Sequence, residues 1–371
     1  MRIGINTLGP SKLKAGVGNY VYELVRNLLQ VDKRNEYFII VNADNAALFE
    51  IEQKNVHIIH APACTTRKNL RIVWEQVGIP FLCWKQGIDV FHSPGFVAPL
   101  LLPCKSVITI HDMTFFSHPC MHEVSKVMYF WLFIPLSAWF ANRISADSEN
   151  TRKEIVRYVR VSPEKVKTIH LAASSLYRPI SKTKAKQQVA KKYNIQHSFI
   201  LFVGTLEPRK NITGLIESYA RAGLKQQLVI VGSKGWHYKS IFEKVKEHHI
   251  EHKVLFTGYV PDADLPFFYA AADLFVYPSF YEGFGIPPLE ALQCGCPVLT
   301  SNVSSLPEVV GDAAVCVDPS KDFSSAMISL LADEKRQSEL RMKGFLQAQM
   351  FSWKKCAQET LALYVSSMNN E

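Results

Sequence analysis

The sequence has no apolar run long enough to cross a membrane. The longest, VMYFWLFIPLSAWFAN at residues 127–142, contains Pro135 and is shorter than the ~20 residues that span a bilayer. The start, MRIGI, also lacks the hydrophobic region of a secretory signal and leads directly into a strand-like pattern. These features predict a cytoplasmic protein.

The run at 127–142 leaves two interpretations open. It is either a buried helix or a helix at the membrane surface, because aromatic-rich apolar faces beside basic residues are stable in the interface. The second interpretation predicts peripheral contact with the inner face of the cytoplasmic membrane.

The eight cysteines show no paired CxxC pattern, and only Cys294 and Cys296 are close together, flanking Gly295. Scattered thiols without a signal peptide are typical of a reducing compartment, and not of a disulfide framework or a zinc site. We therefore expect no bound metal.

Basic residues outnumber acidic ones, 42 against 33, and the formal net charge is +9. Such a surplus favours anionic partners: nucleotide phosphates, polyanionic lipid carriers or an acidic membrane leaflet. The sequence contains no zinc finger, RNP-like motif or dense Lys/Arg block. Nucleic acid is therefore not expected as a partner.

The order of apolar segments predicts an α/β fold with two domains. A chain of 371 residues is too long for one typical core. Short apolar runs alternate with amphipathic segments, a βαβ rhythm that predicts parallel sheets covered on both faces. A Lys-rich stretch at 178–198 separates two such series, so we place one domain over 1–178 and a second over 179–351, followed by a last helix. The predicted strands are residues 1–7, 37–41, 56–59, 89–91 and 106–110, then 199–203, 228–231, 254–257, 274–277 and 297–300.

The segment YEGFGIPPLEAL at 281–292 follows the strand at 274–277, at the sheet edge where parallel sheets bind ligands. Its prolines suit the first turn of a helix, so Glu290 is expected in that turn and Glu282 in the preceding loop. Either the two acids are solvated or complement the helix dipole, or the loop glycines and free amides bind a polar ligand.

The segment VGTLEPRKN at 203–211 also directly follows a strand. An Arg209–Lys210 pair at a helix entry can neutralise a diphosphate, the guanidinium as a planar fork and the ammonium as a point charge. The alternative is a solvated charge pair, the commoner fate of a single Arg-Lys dipeptide.

Two weaker motifs occur in the first series. The GVG at Gly16–Gly18 can bring amides near a phosphate, but it lacks the full dinucleotide fingerprint, and a flexible connection explains it nearly as well. His111 follows the strand at 106–110, where it is either structural, a hydrogen-bond donor or a general acid–base. Ser93 occupies the matching place on the preceding strand.

Together, these motifs resemble the retaining glycosyltransferase family 4, whose members have the GT-B fold. YPSFYEGFGIPPLEALQCGCPVLTS resembles the family's E-x7-E segment and GTLEPRKN its phosphate-binding loop, and the likeness covers nearly the whole chain. The resemblance implies two Rossmann-like, doubly wound domains facing a central cleft. The first would face the acceptor, the second would bind a nucleotide-sugar donor, and the terminal helix at 352–371 would pack back on the first.

The resemblance also implies roles for residues. Glu290 would bind the donor ribose and Glu282 the donor sugar, while Arg209 and Lys210 would hold the diphosphate and His111 would bond the sugar near the reacting centre. The expected catalytic residues are therefore His111, Glu282, Arg209 and Lys210. The expected donor-binding residues are Gly16, Gly18, Ser93, Gly204, Thr205, Arg209, Lys210, Gly283, Phe284, Gly285, Ile286 and Glu290.

One position departs from the family pattern: many members carry an arginine directly after the glycine of the phosphate loop, and here Thr205 follows Gly204. Arg209 and Lys210 would then carry more of the electrostatic task. The motifs look most like bacterial mannosyl- or rhamnosyltransferases of O-antigen and capsule assembly. This implies a retaining hexosyltransferase that uses GDP-mannose and a growing glycan or polyprenyl-diphosphate-linked acceptor, without metal or cofactor.

Two other functions remain open. Another GT-B enzyme, such as a sugar-nucleotide epimerase or a phosphorylase-like enzyme, would use the same donor site. A non-catalytic scaffold that binds sugar nucleotides or polysaccharide would use the binding residues but would catalyse no transfer.

Overall fold

The structure, a computed structural model, describes residues 1–9 and 16–369. It divides into two compact units, Met1–Leu171 together with the segment from Ser352, and Ala172–Phe351. The expected boundary at residue 178 lies a little later than this division. Residues 172–178 go with the second unit because the Tyr177 ring packs edge-on against Tyr269, with 5.8 Å between centroids. The Tyr177 carbonyl also accepts a 2.6 Å hydrogen bond from Gln293 Nε2.

The described residues of the first unit form a sheet of parallel strands in the order β3-β2-β1-β4-β5-β6-β7. The central strand, Val90–Ser93, is wholly buried, as expected for a sheet covered on both faces. The strands are β1 (Arg2–Asn6), β2 (Glu36–Val41), β3 (Val56–His60), β4 (Val90–Ser93), β5 (Lys105–Ile110), β6 (Arg143–Ala146) and β7 (Val166–Thr168).

The second unit contains a parallel sheet in the order β10-β9-β8-β11-β12-β13. The last strand pairs with β12 and is only half-buried, although its four residues, AVCV, are all apolar. The strands are β8 (Phe199–Val203), β9 (Gln227–Val231), β10 (Val254–Gly258), β11 (Leu274–Tyr277), β12 (Val298–Ser301) and β13 (Ala314–Val317).

Helices connect the strands of both sheets. Helices α1–α5 and α14 belong to the first unit and α6–α13 to the second. The helices are α1 (Val17–Val31), α2 (Lys68–Gln86), α3 (Thr114–Ser117), α4 (Val124–Phe140), α5 (Glu149–Val159), α6 (Lys182–Tyr193), α7 (Ile212–Ala222), α8 (Lys239–Glu247), α9 (Leu265–Ala271), α10 (Ile286–Gln293), α11 (Leu306–Val310), α12 (Ser324–Ala332), α13 (Glu334–Gln349) and α14 (Trp353–Met368).

The terminal helix α14 packs on the first unit. It begins at an N-cap, Ser352, whose Oγ accepts a hydrogen bond from the Lys355 amide at 3.1 Å. Its buried face includes Trp353, whose ring lies 6.2 Å from that of Tyr20 in α1, and Tyr364, whose hydroxyl bonds His92 in β4.

Helix α4 is buried along one face only, so the interpretation of the run at 127–142 as a buried helix holds for that face and not for the whole helix. Its fully buried residues are Ile134, Ser137 and Ala138, whereas Trp131 and Leu132 are more than half exposed. Within the described ranges, none of the helices combines the length and the apolar character needed to cross a membrane.

Candidate active site

The predicted site residues fall into two groups, one at the carboxyl edge of each sheet. In the second unit, the loops that follow β8 and β11 meet because these strands are parallel neighbours. The Phe280 amide donates a 2.9 Å hydrogen bond to the Arg209 carbonyl and joins the two loops.

Arg209, Lys210 and Glu282 come together in this edge. Lys210 Nζ lies 2.7 Å from Glu282 Oε1 and donates to the Tyr277 hydroxyl at 2.5 Å. Arg209 Nη1 lies 2.8 Å from Glu282 Oε2, and its Nη2 lies 2.7 Å from Oε1 of Glu207. Lys210 and Glu282 are both buried, so the alternative of a solvated charge pair is wrong.

The charges in this cluster alternate, Glu207, Arg209, Glu282 and Lys210. Burial raises the pKa of Glu282, but Arg209 and Lys210 together outweigh it and lower that pKa to about 2. Burial and Arg209 also lower the pKa of Lys210 against the attraction of the two carboxylates. We regard Lys210 as an ammonium, because the ionised carboxylate of Glu282 lies 2.7 Å from its nitrogen and favours the charged form. The cluster therefore holds two cations in fixed positions.

Serines on the neighbouring loop hold the chain between Glu282 and Gly285. The Ser305 hydroxyl lies 2.9 Å from the Glu282 carbonyl and 2.7 Å from that of Phe284, and Ser304 Oγ accepts from the Glu282 amide at 2.9 Å. Gly285 has φ +107, and a Cβ there would lie 2.8 Å from Leu306 Cδ2. This position requires glycine, and it directs the chain into α10 at Ile286.

Glu290 lies in the second turn of α10, one turn later than predicted, because the helix begins at Ile286 before both prolines. It is buried and accepts a 2.8 Å hydrogen bond from the Tyr269 hydroxyl. Burial raises its pKa to about 7 despite hydrogen bonds from Tyr269 and Tyr177. Sequence reasoning missed both tyrosines, which lie in separate segments and carry no motif.

Gly204 and Thr205, in the predicted phosphate-binding loop, are held by the loop after β9. The Gly204 amide donates to the Val231 carbonyl and the Leu206 amide to the Ser233 carbonyl, both at 2.9 Å. A Cβ on Gly232 would lie 1.9 Å from the Gly204 carbonyl oxygen. Thr205 itself is exposed, so its side chain is not part of the buried charge cluster.

In the first unit, the loop expected around the GVG motif lies largely outside the described residues. Gly16 precedes α1 with φ +52 and is exposed. Gly18 is buried in the first turn of α1 and not in a loop, which corrects the expectation that a flexible connection contains both glycines. Two amides of the first turn, those of Asn19 and Tyr20, donate to the Gly16 carbonyl at 3.1 and 3.2 Å.

His111 and Ser93 lie at adjacent strand ends, as predicted. His111 follows β5 and is buried, with Nδ1 2.7 Å from Asp147 Oδ2 and Nε2 3.1 Å from the Pro94 carbonyl. Ser93 ends β4, and its buried Oγ has no hydrogen-bond partner among the described residues. Asp147 was not predicted, although its position directly after a β-strand is the same signal that identified His111.

In the described ranges, no group of three or more His, Cys, Asp or Glu side chains is placed so that it could hold a metal ion. The charge cluster of the second unit instead suits an organic anion, because Arg209 and Lys210 supply fixed positive charge and the loop glycines allow close backbone approach.

The fold and the site define a two-unit α/β protein with a cluster of alternating charges at a strand edge. Comparison with known proteins identifies the family. The model of Glycosyltransferase Family 4 matches residues 15–173, and that of Glycosyl transferases group 1 matches 183–346. O-antigen chain mannosyltransferase B of Escherichia coli is 38% identical over 281 residues, 74% of either chain. The chain therefore belongs to glycosyltransferase family 4, as its motifs predicted.

Solved structures confirm the expected α/β fold of GT-B type. Sucrose-phosphate synthase from Thermosynechococcus elongatus superposes with a TM-score of 0.80 at 19% identity, over 98% of each chain. The Anabaena protein Alr3699/HepE, in complex with UDP and glucose, has a TM-score of 0.77 at 18% identity, over 99% of this chain and 100% of that one.

Proposed function

We propose that this glycosyltransferase transfers mannose from GDP-mannose to a growing glycan or polyprenyl-diphosphate-linked acceptor in O-antigen synthesis, with retention of anomeric configuration. The observation that carries the proposal is the buried Arg209–Glu282–Lys210 cluster at the carboxyl edge of the second sheet. A departing nucleoside diphosphate develops negative charge, and preorganised cations stabilise it. The E. coli relative, an O-antigen mannosyltransferase by name, supports mannose as the sugar.

Each site residue has one part in this reaction. Arg209 and Lys210 would hold the diphosphate, Glu282 would bind the sugar hydroxyls, and Glu290 would bind the ribose. The bond from the anomeric carbon to the phosphate oxygen breaks as the acceptor hydroxyl attacks on the same face. That hydroxyl gives its proton to the leaving phosphate, so the step needs no protein nucleophile, metal or cofactor.

A donor screen tests the proposal. The full chain is heated with GDP-, UDP- and dTDP-sugars, and the nucleotide that binds the folded state raises the melting temperature most. The selected donor is then incubated with a mannose-terminated glycan, and NMR of the product reads the anomeric configuration. Retention and acceptor-dependent turnover are expected. Release of an altered free sugar nucleotide would indicate an epimerase, and binding without turnover would indicate a scaffold.

We also propose that the first unit contacts an anionic membrane through the exposed apolar faces of α2 and α4. Both helices bond the loop at 98–100: Gln76 of α2 donates to the Ala98 carbonyl, and Ser137 of α4 accepts from the Ala98 amide. Exposed basic residues, Arg67 and Lys68, lie at the start of α2. Apolar side chains beside basic ones bind the interface of an anionic leaflet. The exposed apolar side chains are Val73, Val77, Phe81, Trp84, Met128, Trp131 and Leu132.

A further inference from the structure

His111 and Asp147 are neighbours because of the register of their strands. Ile110 of β5 pairs with Ala146 of β6, so the next residue of each strand lies beside the other at the carboxyl edge. Pro94, which follows β4, presents its carbonyl from the opposite side. The imidazole is thus held between the ends of the two strands that flank its own.

Both hydrogen-bond partners of His111 are oxygen atoms of acceptor groups, a carboxylate and a backbone carbonyl. The Asp147 carboxylate lies 2.7 Å from Nδ1, and the Pro94 carbonyl lies 3.1 Å from Nε2. A neutral imidazole has one N–H and would leave one of these contacts without a proton. The two contacts together therefore require two protons on the pair. Burial raises the pKa of Asp147, but that of His111 is raised as well; the carboxylic acid remains the stronger acid, and both protons reside on the ring.

The other groups that face the imidazole are uncharged, apart from Asp112 beside it in the chain. Tyr20 of α1 stacks edge-on at 4.8 Å between centroids, and Phe96 does so at 5.4 Å. His92 of β4 bonds the Tyr364 and Thr109 hydroxyls, and burial together with His111 lowers its pKa to about 3, so it is neutral.

Asp147 has further neighbours besides His111. His170 and Cys356 of α14 both interact with its carboxylate. Burial by itself would lower the pKa of His111, but the Asp147 carboxylate and the two acceptor contacts outweigh it and raise that pKa. No other carboxylate hydrogen-bonds the ring within the described residues.

We infer that Asp147 is a positioning residue that holds His111 as an imidazolium, so that His111 offers a fixed positive charge and does not act as a general base. The part of this pair in catalysis rests on the proposed glycosyl transfer. A cation at this strand end would stabilise negative charge on the donor.

Histidine NMR of the full chain tests the protonation state directly. The protein is labelled with ¹⁵N-histidine, the His111 signals are identified by their loss in His111→Gln, and spectra are recorded from pH 5.5 to 8.5. In the wild type, both ring nitrogens of His111 should carry protons at pH 7. In Asp147→Asn, which keeps the size and an acceptor oxygen but removes the charge, its pKa should fall below the ordinary value of about 6.5.

Asp32→Asn is the matched control, because Asp32 is also a buried hydrogen-bonded carboxylate of the first unit but contacts Tyr37 and Asn35. It should leave the His111 titration unchanged. If Asp147→Asn does not fold, Asp147→Glu takes its place in the test. This variant retains the charge and should keep His111 protonated. A neutral wild-type His111 at pH 7, or an unchanged pKa in folded Asp147→Asn, would overturn the inference.

The kinetic readout is kcat at saturating donor, so that pH effects on donor binding do not enter. Wild-type kcat should be flat from pH 6 to 8, whereas that of Asp147→Asn should fall as pH rises through the lowered pKa of His111. A flat profile in this variant, with a lowered His111 pKa, would refute the role in transfer. If the wild type transfers no sugar, the proposed function fails, and the NMR result still decides the charge of His111.

Discussion

Lys210 and Glu282 form a 2.7 Å ion pair although 72 residues separate them in the chain. Each belongs to a loop at the end of a different strand, and Arg209 contacts the same carboxylate from the other side. Glu282 therefore fixes the spacing of the two cations on which the proposed diphosphate site depends.

Replacing Glu282 by glutamine should destabilise the second unit. The change leaves two buried cations without their shared carboxylate, and removing one partner of a buried pair costs about 3–5 kcal/mol. Urea denaturation at pH 7 measures the loss. The exposed Glu247→Gln should change stability little, and a Glu282→Gln protein as stable as wild type would contradict the structural role.

The stabilisation by Glu282 should also depend on pH in a defined direction. Its pKa is about 2 in the folded state, below the value of about 4.3 in an unfolded chain. The unfolded state therefore binds more protons between these values. The contribution is fully present above pH 4.3 and is lost as the pH falls towards 2, and Glu282→Gln should lack this part of the acid sensitivity.

Lys210→Ala should lower kcat by at least ~10²-fold at saturating donor, because the leaving diphosphate loses a preorganised cation. The matched control is Lys244→Ala, which removes an ammonium of the same unit that pairs with Glu217. Radiolabelled mannose transfer measures both variants. Near-normal turnover in Lys210→Ala would remove Lys210 from the catalytic group.

Glu290→Gln should weaken donor binding by about 10- to 100-fold at pH 8, since hydrogen bonds to a charged group contribute about 1.5–3 kcal/mol. The folded-state pKa of Glu290 is about 7, so the carboxylate is protonated below that pH. Wild-type affinity should therefore rise with pH from 6 to 8, and the variant should show no such rise. Calorimetry at pH 6 and pH 8 measures the donor affinities of the wild type and the variant. Equal affinities of the two proteins at pH 8 would exclude Glu290 from ribose binding.

The sequence predicted the parts of the fold that rest on local pattern. Phe199–Val203 and Leu274–Tyr277 are strands at the predicted bounds, because continuous apolar runs flanked by polar residues have few other solutions. The strands Arg143–Ala146 and Val166–Thr168 were missed, since each is short and carries a basic residue.

In the candidate site, too, local sequence patterns predict some features, whereas others depend on tertiary contacts. Motif residues such as Arg209, Lys210 and Glu282 were identified, but their mutual contacts depend on which strands are neighbours. Asp147 lies 36 residues from His111, and only the pairing of β5 with β6 brings them together. The hydroxyl of Tyr269 reaches Glu290 through packing that no local pattern encodes.

Gly232→Ala should distort the phosphate loop. Gly232 has φ +149, and a Cβ there would lie 1.9 Å from the Gly204 carbonyl, so the backbone must move. The unfolding temperature and the donor affinity should both fall. Gly223→Ala is the control, because Gly223 also has a positive φ but has open space around it, and it should lose stability without losing donor affinity. Unchanged donor affinity in Gly232→Ala would show that the loop geometry is not needed.

The apolar faces of α2 and α4 should bind vesicles that contain anionic lipid. The double variant Val77→Glu with Leu132→Glu places charges on two exposed side chains and should reduce co-sedimentation at least ~10-fold, since burying such a side chain contributes about 1.5–3 kcal/mol. Trp131 is a poorer probe, because its indole donates a 2.6 Å hydrogen bond to the Phe115 carbonyl and supports the fold.

The control for vesicle binding is Leu346→Glu, which changes an equally exposed leucine on α13 of the second unit. It should bind vesicles as the wild type does. Binding should weaken as salt rises, because exposed charges such as Arg67 and Lys68 are screened. If the wild type does not bind vesicles but dimerises as its concentration rises, these faces contact a second copy of the chain, and the membrane proposal is wrong.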